Sequence, residues 1–114
     1  MTAPARPRPP AWTLLVEAIN EMRPVVVGYH GHRRIICPHA LGWKSGRFKL
    51  LSYQTSGGTR QGALSQDPSQ RWRSMFVDEI EEPVLIEDRP WQTAANRIHK
   101  SNCFDEIDVE ARYV

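Results

Sequence analysis

This chain has little of what usually announces a reaction or a destination. It holds two cysteines, Cys37 and Cys103, and neither belongs to a Cys-x-x-Cys pair. Free, buried thiols are therefore expected, and a structural disulfide is not. No apolar run approaches the roughly 18 residues of a membrane span. Arg6 and Arg8 stand near the start without an apolar stretch behind them, so no secretory signal is expected. A cytoplasmic protein without a membrane partner is the expectation. Phosphate-binding glycine loops of the Walker or Rossmann kind are missing, and Gly57-Gly58 lies in a polar stretch with no helix after it. Ser65 and Ser74 lack the flanking glycines of a nucleophile elbow. Asp67, Asp78 and Glu79 have no evident nucleophile to serve. The expectation is a protein that is not an enzyme and carries no cofactor.

Net charge is also small, at +2, but it is unevenly spread. Residues 1–73 hold eleven Lys and Arg against three Asp and Glu, a balance of +8. Residues 74–114 hold four against ten, a balance of −6. The basic part can attract phosphates, and the acidic part can equally fold back and neutralise it. A length of 114 residues implies one domain with a modest core.

Residues 1–11 are rich in Pro, Ala and Arg, which predicts a solvated, disordered tail. Leu14, Leu15, Ala18, Ile19 and Met22 recur at helical spacing, so Thr13–Met22 reads as an amphipathic helix with Thr13 as N-cap. Pro24 ends it. Val25–Tyr29 is β-branched and aromatic, a strand. Gly31 marks a turn, and Arg33–Cys37 is the return strand, closed by Pro38. With Gly31 and His32 in the turn, His30 faces Arg33. Gly42–Gly46 reads as a loop and Arg47–Gln54 as a third strand. Ser56–Gln70 is polar and predicts a mobile loop. Trp72–Asp78 reads as a fourth strand and Pro83–Ile86 as a fifth. Thr93–Lys100 predicts a short helix, and residues 104–113 a last strand or irregular extension. The whole is mainly β (α+β): a small, bent sheet or partly open barrel, preceded by one helix. Domain residues run over 12–91, with 92–114 as an extension of the same unit.

The order of these elements resembles a known family. A helix ending Glu21-Met22-Arg23 leads to a Val-rich strand ending at Tyr29. An arginine-bearing strand then closes on Cys37-Pro38-His39-Ala40. Phe48-Lys49-Leu50 stands where the family has its naming Trp-Tyr-Leu triplet, and Tyr53-Gln54 and Trp72-Arg73 follow. Over roughly residues 13–91 the chain resembles a short, free-standing WYL domain. The resemblance implies an SH3- or Sm-like barrel and a ligand-sensing role in regulation. It also implies a nucleotide or single-stranded nucleic acid as ligand, held by basic residues on one sheet face. Only Leu50 of the triplet is kept, and Glu79 stands where the family often has arginine. Regulators of this family carry a helix-turn-helix before the sensor. Residues 1–24 hold one helix at most, so this chain alone is not expected to read DNA sequence.

Arg33 and Arg34 are adjacent on a strand and point to opposite faces, so at most one lines a given face. Arg47 pairs in face with Lys49, and Arg71 with Arg73. Guanidinium groups on neighbouring strands can grip a phosphate bidentately. Arg33, His39, Tyr53, Arg71 and Arg73 form the candidate ligand site, with arginines for charge and His39 and Tyr53 for hydrogen bonds. The competing reading is a solvated face in salt bridges with Asp78, Glu79, Glu81 or Glu82. Trp43, Tyr53 and Trp72 can stack on bases or belong to the core. His30, His32, Cys37 and His39 resemble a metal set on paper. Four residues of strand between His30's partner and Cys37 span roughly 13 Å, too far for one zinc shell. An alternative function is a protein–protein adaptor or homo-oligomer, built on the separated basic and acidic parts.

Overall fold

The computed structural model describes residues 7–59, 62–93 and 104–112. One helix precedes a curled antiparallel sheet, giving the mainly β, α+β half-barrel that the strand pattern predicts. The helix α1 spans Trp12–Glu21 and buries Leu15, Ala18 and Ile19, three positions on one face. Thr13 is not its cap. Ala11 occupies that place without a side-chain bond, and Trp12 N–H donates to the Pro9 carbonyl instead. Met22 turns left-handed at φ 53° and ends the helix, and Arg23 N–H donates back to Ala18. Residues 7–11 are not a free tail: Ala11 is buried, and the Arg8 guanidinium lies over the rings of Trp12 and Phe48. Residues 1–6 lie outside the described residues.

Among the described residues seven strands follow: β1 Val25–Tyr29, β2 His32–Lys44, β3 Arg47–Thr59, β4 Gly62–Ala63, β5 Trp72–Phe76, β6 Glu81–Leu85 and β7 Glu106–Glu110. The β2–β3 hairpin is the spine. Both of its strands run 13 residues and change partners along their length. On its outer edge β2 pairs first with β1 and then with β7. The outer edge of β3 pairs with β5 and, further along, with β4. This exchange of neighbours curls the sheet.

Several boundaries differ from the sequence expectation for identifiable reasons. Pro38 does not close β2. It falls between the stretch paired with β1 and the stretch paired with β7, and the register to β3 shifts just after it. A bulge is where a strand tolerates a residue without an N–H. Gly42 belongs to β2 rather than to a loop, and the turn is Ser45-Gly46, both at positive φ. The first hairpin turns on His30-Gly31, also both at positive φ, so Tyr29 faces His32. Val77–Glu79 leaves the strand as a 3₁₀ turn. The polar stretch after Ser56 is organised where it is described. β3 continues to Thr59, β4 adds a short pair, and Asp67 caps a 3₁₀ turn over Pro68–Gln70. Within the expected helix over 93–100, residues 94–100 lie outside the described residues.

Alternation explains the core. Val25 and Val27 of β1 face Ile36 and Arg34 of β2, and Leu41 and Leu50 sit opposite one another, as do Leu50 and Met75. Directly opposed residues share a face, so these side chains line the inside of the curl. The α1 face, Val77, Ile80 and Ala111 complete that core. The other face of β2 and β3 is also covered. Ala40, Leu51 and Phe104 pack there with Trp72, which makes the sheet wall buried on both sides along part of its length.

Candidate functional site

The five candidate residues do not converge. His39 is fully buried, stacked on Trp91 at 4.1 Å between ring centroids and edge-on to Trp72 at 4.7 Å. Its Nδ1–H donates to the Cys37 carbonyl at 2.7 Å, so Nδ1 carries a proton. Tyr53 is buried against Trp72. Both side chains are buried and pack in the layer with Trp72 and Trp91. Arg71 sits at the end of the 3₁₀ turn, and its Nε–H donates to the Ser65 carbonyl at 2.8 Å. Arg33 is exposed and faces Glu82 at 3.8 Å, in a separate hollow with Gly28 and Glu81. Arg47 is engaged by Asp78 at 2.5 Å and Glu79 at 3.5 Å and lies over the Phe76 ring. Salt bridging to the acidic part thus accounts for Arg33 and Arg47.

Arg73 is different, and its companion is Arg34. The inner face of β2 runs from Ile36 to Arg34, and the inner face of β5 from Met75 to Arg73. Each strand therefore replaces an apolar residue by arginine two positions on, at the same end of the curl. The two guanidinium groups line a cavity of about 510 Å³ shared with Tyr29, His30, Thr59, Ser74 and Phe76. It occupies the seam where β1 and β5 do not pair. Phe76 N–H donates across that seam to the Tyr29 hydroxyl at 3.0 Å. Burial pushes the Tyr29 hydroxyl above its ordinary pKa, so it stays protonated.

None of the described residues that line this cavity is a carboxylate, and Glu79 meets it only through His30. Arg34 is 4% exposed. One terminal nitrogen makes a long 3.5 Å contact to Gln54 Oε1, the other donates to the Tyr29 carbonyl at 3.2 Å, and Nε–H has no partner among the described residues. The Tyr29 ring lies 5.3 Å from the guanidinium carbon. Burial, and then the charge of Arg73, lower the Arg34 pKa. Arg73 is half-buried, donates to the carbonyls of Gln70 and Trp72, and is lowered by burial. A buried cation without a counter-ion is costly, and two facing one cavity is an arrangement that an anion relieves. His30 stands at the rim. It stacks on Tyr29 at 4.0 Å and meets Glu79 at 3.4 Å.

No protein-family model, curated protein or solved structure matches the chain.

Among the described residues, no group of three or more His, Cys, Asp and Glu could hold a metal ion, and no helix is long and apolar enough to cross a membrane. Sequence reasoning chose Arg33 over Arg34. The signal that separates them is spacing from the core: Arg34 stands two residues from Ile36 and faces Val27, as Arg73 stands two from Met75. Thr59, Ser74 and Phe76 carry no such signal, because the seam that gathers them is made by strands distant in sequence.

Proposed function

We propose that the chain is a WYL-like ligand-binding module of regulatory type, and that its ligand is an anion carrying phosphate. The observation that carries this reading is the pairing of Arg34 with Arg73 in one cavity whose described lining residues include no carboxylate. Planar guanidinium groups match phosphate oxygens bidentately. A cavity of about 510 Å³ falls in the range that holds a small organic molecule. Tyr29, His30 and Phe76 offer ring surface beside the charge. A mononucleotide, or the end of a single-stranded nucleic acid, has both parts.

Titration with nucleotides and short single-stranded oligonucleotides at low and moderate salt tests this. Binding must weaken as salt rises, and Arg73→Ala must abolish it. Absence of binding at low salt, or binding indifferent to Arg73→Ala, refutes the reading.

A further inference from the structure

Resting on that reading, we infer that the cavity selects a terminal phosphomonoester over the internal phosphodiesters of a nucleic-acid chain. Charge count and hydrogen-bond count both lead there. The cavity offers two guanidinium charges, and one of them is almost wholly withdrawn from water. A phosphomonoester carries roughly −1.5 to −2 at neutral pH, which balances both. A diester carries one negative charge and would leave a second cation buried and uncompensated.

The donors point the same way. Each guanidinium has five N–H groups. Arg34 uses two of them, toward Gln54 and Tyr29. Arg73 uses two, toward Gln70 and Trp72. Three N–H groups on each side chain remain without a protein acceptor among the described residues, although the Nε–H of Arg34 is itself out of reach of solvent. A monoester presents three terminal oxygens to this double fork, whereas a diester presents two and carries a second ester substituent. Asp78 and Glu79 are turned to Arg47, and Glu79 also to His30.

The test uses the full chain and two pairs of probes. Adenosine 5′-monophosphate is compared with its 3′,5′-cyclic diester, and a trinucleotide with a 5′-phosphate is compared with the same trinucleotide lacking it. Calorimetry at one fixed low salt concentration reads the affinities. The expected result is a preference of at least about tenfold for the monoester in both pairs, of the size that an added charge-assisted contact gives. Arg73→Lys, which keeps the charge and loses the fork, should cut the monoester affinity and shrink the ratio. It removes no core side chain, so its fold can be verified by circular dichroism. Equal binding of monoester and diester, still dependent on Arg73, overturns the inference and leaves phosphate binding standing. Absence of binding by all four probes overturns both.

Discussion

Arg34 and Arg73 lie on different strands, 39 positions apart in the chain, yet they face one cavity whose described lining residues include no carboxylate. The charge of Arg73 helps to lower the pKa of Arg34. The proposed anion site at this like-charge pair makes a prediction about the folded state. Phosphate or sulfate should raise the melting temperature above that in chloride at equal ionic strength. Saturation to 100 times Kd corresponds to about 2.7 kcal/mol, which is several degrees for a domain of this size. Arg34→Met should remove the anion effect. Its own stability should lie within about 2 kcal/mol of the parent, because replacing a buried charge that has no counter-ion by an apolar side chain is often neutral or stabilising. Differential scanning fluorimetry across a sulfate series reads both outcomes. Equal melting temperatures in sulfate and chloride would count against the site.

Cys37 should be chemically silent in the native protein. It is fully buried, and burial raises its thiol to about 11 while Gln92 N–H donates to its sulfur. The thiolate is the reactive form, so iodoacetamide at pH 8 should leave Cys37 unmodified until denaturant is added. Peptide mapping separates it from Cys103. The sign for stability follows from the raised value. The neutral thiol is favoured in the folded state, so this contribution is intact below the ordinary value of 9.0 and is lost as pH rises toward about 11. Rapid native alkylation of Cys37 at pH 8 would show that the cover over it is open.

Trp91, beside Gln92, packs on the two residues that follow Cys37. It stacks on His39, and its Nε1–H donates to the Pro38 carbonyl at 3.1 Å. Trp91→Ala should cost about 3 kcal/mol, the low end for loss of a large aromatic, since Trp91 is only partly buried. Denaturant unfolding should show a lower midpoint, and Cys37 should become alkylated at a measurable native rate. An unchanged midpoint would mean that the outer layer contributes little.

Gly42 is the point where β7 crosses β2 too closely for a side chain. A Cβ there would stand 2.6 Å from Phe104 Cδ1 and would overlap the Glu106 carbonyl oxygen. Gly42→Ala should therefore displace β7 and its Asp105 contact with Ser45 N–H, at a cost of about 1–3 kcal/mol, the range for forcing extra volume into a packed site. Limited proteolysis should then cut first beside residues 104–110. Parent-like resistance would show that β7 can shift without loss.

Much of the architecture was legible because it rests on local rules. The α1 face and the Val-rich β1 each bury residues at the period their backbone dictates. The errors have local causes too. Pro38 and Gly42 read as breakers, yet both lie inside β2, one at a register shift and one under a crossing strand. His39 and Tyr53 read as ligand contacts because polar and aromatic residues on strands look exposed. They are buried where Trp72 and Trp91 arrive from elsewhere in the chain to pack on them.

By itself, then, the sequence determined a mainly β chain with one amphipathic helix in front, because side-chain period and turn residues act within a few positions. It also determined that Arg33 and Arg34 must part to opposite faces. Which of them meets Arg73 was decided only by the tertiary structure. The curl of the β2–β3 spine brings the inner faces of β2 and β5 to one open seam. That meeting depends on strand partners far apart in the chain, and no local pattern encodes it.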